Sequence, residues 1–224
     1  MANDIFESEV FSRRGTAGDE ISPSLYNITM GAVLLWGFGV NWLIVQNIPA
    51  ETVAGISPLL FFLGYFASCF LGVYLFTSST KPLVSFLGYN FVVVPFGFIV
   101  NLVVNRFSTT VVLDAVYITS MVTAAMMLAG AVFPDFFKKI STALTISLLA
   151  VIVVELVETF VFHVDLAFTD WIVAIIFCGY IGYDWGRANQ IPKTLDNAVD
   201  SASALYMDII NLFLRIVRIL GRRR

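Results

Sequence analysis

Two aspartates stand in apolar surroundings near the carboxyl end of the chain: Asp184 closes one apolar run, and Asp208 lies inside the next, 24 residues further on. A carboxylate in or near hydrocarbon costs about 2.5–3.5 kcal/mol on insertion scales, so an acid there is paired, water-lined or functional. Facing each other across a helical hairpin, the two would share one proton, because close carboxylates repel when both ionise. Asp184 also falls at the carboxyl end of its helix, where the macrodipole disfavours negative charge. Such a pair is a switch near neutral pH that needs no histidine. Its hard oxygens make Asp184 and Asp208 a candidate proton or cation site. The residues leave open which protonation state would favour opening.

Asp208 continues into a polar stripe. Asp208, Asn211, Arg215 and Arg218 are spaced 3, 4 and 3 and share one helical face, while Leu205, Ile209, Leu212, Phe213, Ile216 and Leu220 cover the rest. Two placements fit: a central helix with its stripe toward a wet crevice, or an interfacial helix with its arginines on anionic lipid. Asp208 and Asn211 on the stripe favour the central one. Asp200, followed by Ser201, is the expected N-cap. Asp208 would then sit about two turns in, on the order of 12 Å deep. A second acidic group consists of Glu155 and Glu158, three apart and on one face of the fifth helix, with Asp114 near the start of the fourth. The expectation is an ion path running from an outer vestibule (Asp114, Glu155, Glu158) to an inner gate (Asp184, Asp208). In the plainer alternative, Asp114 and Glu158 simply reach the interface and are solvated.

The elements that must position these groups are membrane helices. The 224 residues are 58% hydrophobic and 13% charged, against about 45–50% and about 25% in soluble domains. Apolar runs of helical length absorb that excess, so the fold class is all-α: a polytopic membrane protein with seven transmembrane helices. The expected spans are 26–48, 56–77, 83–105, 110–133, 140–162, 169–185 and 202–220. Residues 1–24 form a polar cytoplasmic segment, 25–221 one seven-helix membrane domain and 222–224 a basic tail. Pro49, Pro58, Pro82, Pro134 and Pro192 punctuate the links, and Pro95 marks a mid-helix kink whose freed carbonyl must find another donor. Gly64, Ala67, Ser68 and Gly72 in the second helix, and Gly179, Gly182 and Gly186 in the sixth, are faces for close packing.

Basic residues set the orientation. With the N-terminus cytoplasmic, the inner segments hold Arg13, Arg14, Lys81, Lys138, Lys139, Arg187 and Lys193, and the outer links only Arg106. Seven full spans would then place Arg222, Arg223 and Arg224 outside. Either the last segment crosses against the rule, or it re-enters and returns. No apolar stretch with a small-residue cleavage site precedes the first run, so no cleaved signal peptide is expected.

Several function classes are excluded. Cys69 and Cys178 lie in apolar runs with no metal or disulfide spacing, and His163 stands alone beside a loop. No nucleotide-binding glycine loop, zinc-helix motif or nucleophile elbow is present, so no enzyme, resident cofactor or nucleic-acid partner is expected. Gly182-Tyr183-Asp184 only partly echoes an intramembrane aspartyl protease, and no inverted repeat suggests a solute transporter.

Tyr183-Asp184, a short polar loop, then Leu205-Tyr206-Met207-Asp208-Ile209-Ile210-Asn211-Leu212-Phe213-Leu214-Arg215-Ile216-Val217-Arg218-Ile219-Leu220-Gly221 resembles the C-terminal signature of the transmembrane Bax inhibitor motif family. The resemblance implies six helices around a central C-terminal one and a pH-sensitive calcium leak governed by an aspartate pair at Asp184 and Asp208. It departs from bacterial relatives in one respect. Their second helix can end near an arginine that holds the pair closed, whereas Leu71 to Thr80 has no basic residue and only Lys81 follows. The resemblance also allows a non-conducting protein that binds and modulates a membrane protease or stress-response complex. The compact chain reads as a bacterial plasma-membrane protein whose partners are the lipid bilayer, calcium ions as transported cargo and a membrane-protein partner.

Overall fold

Proline and serine open most of the long helices. In the computed structural model, which describes residues 20–162, 164 and 166–222, α1 (Pro23–Asn47), α3 (Pro58–Ser78), α4 (Pro82–Val104) and α6 (Pro134–Val157) each carry proline in the first turn, where its missing N–H costs nothing. Ser22 caps α1 by accepting from the Leu25 N–H at 3.2 Å, and Ser108 caps α5 (Thr109–Val132) by accepting from Val111 at 3.4 Å. A short α2 (Ala50–Ala54) lies in the first link, and α7 (Ala167–Ala188) and α8 (Leu195–Gly221) complete the chain. Among the described residues there is no β-strand, only an isolated bridge between Glu20 and Thr194. The expected Arg13, Arg14, His163, Arg223 and Arg224 features, and most of the polar segment 1–24, lie outside the described residues.

Six helices, α1 and α3 to α7, are long and apolar enough to cross a membrane. The protein is a multi-pass, all-helical membrane protein. The expected seventh span, α8, is 27 residues long, about 40 Å, but its charges keep it out of that apolar set. It neither re-enters nor returns. Only Leu195 is exposed along Leu195–Gly221. Asp196 in its first turn and Arg218 in its last complement the macrodipole.

Three boundaries differ from expectation. The α8 helix begins at Leu195, so Asp200 is not its N-cap; Thr194 is, its Oγ1 accepting from the Asn197 N–H at 3.1 Å. Asp208 is therefore 13 residues beyond the first residue of α8 rather than two turns in, about 20 Å along the helix. The fifth long helix starts at Pro134 instead of residue 140, since the amphipathic turn with Lys138 and Lys139 is helical although not apolar, and it ends in a π-helical turn, Glu158–Phe162.

The chain forms two contact units, Met1–Arg106 with Gln190–Tyr206, and Phe107–Asn189 with Met207–Arg224. In the first, Gly72 and Gly88 bring α3 and α4 together: a Cβ on Gly72 would lie 2.5 Å from the Gly88 carbonyl oxygen. Pro95 interrupts α4, and the Phe91 carbonyl it frees accepts from the Ser68 hydroxyl at 2.6 Å, which settles the backbone cost of the kink. The first part of α8 is held here by Ser85 donating to Asp196 at 2.6 Å, Tyr26 bonded to Ser201 at 2.9 Å and Asn41 donating to Tyr206 at 2.6 Å.

In the second unit Gly130 of α5 meets Gly182 and Gly186 of α7, and Gly179 and Gly182 face Leu144 and Phe137 of α6. A Cβ on Gly130 would fall 2.1 Å from the Gly182 carbonyl oxygen, so neither helix could yield by a side-chain rotation alone. Gly130→Ala is expected to destabilise the protein by about 1–3 kcal/mol, read as a lower unfolding midpoint in detergent. Gly64, expected at a close contact, instead has open space around it, so Gly64→Ala should leave the midpoint unchanged or raise it.

Candidate functional site

The second unit carries the candidate site, and three of its helices share a register. Gly130 of α5 lies against Gly182 and Gly186 of α7, while Phe107, just before α5, meets Gly221 at the end of α8. Arg222, the next residue, reaches Asp170 in the first turn of α7 at 3.1 Å. Hence α5 and α7 run in the same direction and this part of α8 runs against both.

Asp184, near the carboxyl end of α7, shares a side-chain hydrogen bond with Asp208 of α8. Both carboxyls are buried, at 9% and 7% exposure, and Asp208 Oδ2 has no hydrogen-bond partner among the described residues. Two carboxyl groups that hydrogen-bond to each other must hold at least one proton between them, since ionised carboxylates are acceptors only. Tyr180, one turn before Asp184, lies within electrostatic reach of both acids, and its hydroxyl donates to Thr145 of α6 at 3.1 Å. The Arg187 guanidinium interacts electrostatically with Asp184, donates to the Tyr183 hydroxyl and sits over that ring. A basic group thus stands beside the pair, and it comes from α7 itself.

The other end of α7 was not foreseen. Asp170, 1% exposed, draws three arginines: Arg215 at 3.0 Å, Arg218 at 3.5 Å and Arg222 at 3.1 Å. Arg215 also grips Glu155 of α6 with both terminal nitrogens. The stripe on α8 therefore divides. Asp208 meets Asp184, Asn211 turns back to the Met207 carbonyl at 2.7 Å, and Arg215 and Arg218 serve a buried carboxylate rather than a crevice.

The three expected vestibule acids occupy different settings. Glu155 is engaged by Arg215, and Glu158, buried in the π-helical turn, accepts from Thr169 Oγ1 at 2.6 Å. Asp114 is half-buried on α5, and it is Asp170, not Asp114, that joins Glu155 at Arg215. Among the described residues no group of three or more His, Cys, Asp or Glu stands together to hold a metal ion. Two carboxyls fall short of the 6–8 oxygens calcium takes when resident.

The family model described as "Inhibitor of apoptosis-promoting Bax1" matches residues 21–224. Among curated proteins, Bax inhibitor 1 of Schizosaccharomyces pombe is 32% identical over 129 residues, covering 56% of this chain and 47% of that protein. A BI1-like protein of Arabidopsis thaliana is 52% identical over 48 residues, 21% of this chain and 18% of its own length. An uncharacterized membrane protein of Streptococcus pyogenes serotype M3 is 26% identical over 133 residues, 56% of this chain and 58% of that protein. The chain thus matches less than two thirds of each of these relatives.

Proposed function

The chain belongs to the Bax inhibitor-1 family, and from that premise we propose that it is a proton-gated cation leak of a bacterial plasma membrane that passes calcium. One observation carries the reading: a hydrogen-bonded, buried pair of carboxyls, Asp184 and Asp208, joining α7 to α8. Hydrocarbon-embedded acids are costly, and a pair tied by a proton is a two-state element whose equilibrium pH can bias. In the tied state the hydrogen bond holds α8 against α7. When the pair titrates, its charge and hydrogen bonding change together, and the helices repartition between closed and open arrangements.

Orientation follows from the basic residues among those described. Lys81, Lys138, Lys139, Arg187 and Lys193 sit at the helix ends that a cytoplasmic N-terminus would place inside, so the Asp184 end of the second unit is the inner one. Arg187 beside Asp184 supplies the positive charge that the second helix lacks.

Calcium entry into liposomes holding the purified full chain, scanned from about pH 5 to pH 8, tests the reading because a carboxyl pair that shares a proton changes its charge with pH. A flux that changes with pH is expected. Entry no faster than into protein-free liposomes at every pH would replace it with a non-conducting protein that acts through a membrane partner.

A further inference from the structure

Thr119 and Thr123 are buried on α5, at 4% and 9% exposure, and neither hydroxyl has a hydrogen-bond partner among the described residues. This is unusual for a helix, where a threonine or serine hydroxyl can bond the carbonyl four residues back. Ser120 on the exposed side of α5 does so, donating to the Val116 carbonyl at 2.8 Å. Thr119 and Thr123 belong to the buried line Val111, Ala115, Thr119, Thr123 and Gly130, spaced 4, 4, 4 and 7 and so on one face. Gly130 fixes what that face meets, because it lies on Gly182 and Gly186 of α7.

Their heights follow from the register. Gly130 stands level with Asp184, and Thr123 and Thr119 are 7 and 11 residues before it, about 10 and 16 Å toward the Asp170 end. Asp170 itself is 14 residues before Asp184, about 21 Å away. The second unit thus presents, in order, the unbonded Asp208 Oδ2, the Thr123 hydroxyl, the Thr119 hydroxyl and the Asp170 and Glu155 carboxylates bridged by Arg215. Buried oxygens without partners cost free energy unless water or an ion meets them.

We propose that Thr119 and Thr123 line a hydrated file through the second unit, joining the Asp184–Asp208 pair to the Asp170–Glu155 carboxylates and admitting water and a partly dehydrated hard cation. The Arg215 guanidinium stoppers its far end. The ion-carrying role rests on the cation-leak reading above, whereas the hydration of the file does not. The threonine hydroxyls offer neutral oxygen ligands midway between the two acidic groups. Arg215 is a tethered cation between two carboxylates from different helices, in the position an entering ion would take, and it must move aside for passage.

Two readouts separate the file from the leak. Thr123→Cys and Thr119→Cys, each in a Cys69→Ala/Cys178→Ala background, are expected to react with a small cationic methanethiosulfonate in detergent and in liposomes. In the calcium assay Thr119→Val/Thr123→Val is expected to lower flux by about tenfold, as losing two hydroxyl ligands would, while its unfolding midpoint holds or rises. Arg215→Gln should raise flux. Labelled cysteines with no calcium entry in any variant would leave the file wet and end the leak reading. Unlabelled cysteines overturn the file whatever the flux, and a Thr119→Val/Thr123→Val flux equal to that of a conducting wild type overturns it as the ion's route.

Discussion

Replacing Asp184 and Asp208 together by Asn is expected to flatten the pH profile of calcium entry, leaving flux at every pH near the level wild-type protein shows at its most acidic point. Asn has the shape of a neutral carboxyl and no titrating proton, so the double variant mimics the fully protonated pair. In the wild type, raising pH forces charge into a buried site. Two unit charges about 4 Å apart repel by about 4 kcal/mol at an effective dielectric near 20, enough to change a closed–open ratio by about a thousandfold. The single variants behave differently. Asp208→Asn leaves Asp184 as one titrating acid beside Arg187, and its profile should shift along the pH axis instead of vanishing. Unaltered profiles in all three variants would remove the pair from the gate.

Asp170→Asn has the second large expected effect, on stability. Breaking a buried ion pair by removing one partner costs about 3–5 kcal/mol, and here one carboxylate is shared by Arg215, Arg218 and Arg222. A fall of the unfolding midpoint on the order of 10 °C is expected. Asp170→Glu should recover part of it. Glu155→Gln should cost less, because Glu155 is partly exposed and Arg215 keeps Asp170. A midpoint for Asp170→Asn within a degree or so of wild type would mean that solvent, not Asp170, neutralises these arginines.

The difference between the two ends of α7 shows what the residues alone could disclose. Asp184 and Asp208 are conspicuous because each interrupts an apolar run, and the signature around Asp208 ties them together. Asp170 was invisible for the opposite reason. It follows Thr169 at the start of a span, where an acid is ordinary on dipole grounds, and its partner Arg215 lies 45 residues away. The one available signal was the basic stripe on α8, whose arginines required a carboxylate from some other helix. The membrane class and six of the expected spans were legible from hydropathy, yet the start of α6 was not, since Lys138 and Lys139 hide a helical turn from any apolar count. The cap of α8 was misplaced because Thr194, Asp196, Asn197, Asp200 and Ser201 can all cap. Only the backbone distinguishes them, and it chose Thr194. The satisfaction of Phe91 by Ser68 across Pro95 was foreseeable in kind but not in partner.

The spacing of the two ties between α7 and α8 limits how these helices can move. Asp170 to Asp184 is 14 residues, and Asp208 to Arg222 is also 14. Sliding α8 by one turn, about 5.4 Å, would part the acid pair, whereas Arg215, Arg218 and Arg222 lie on successive turns of α8 and would still offer Asp170 an arginine. A displacement of α8 is therefore felt first at the proton-held contact, while the arginine end keeps its hold. With the Asp170 end as fulcrum, the travel of α8 against α7 grows along those 14 residues toward the acid pair.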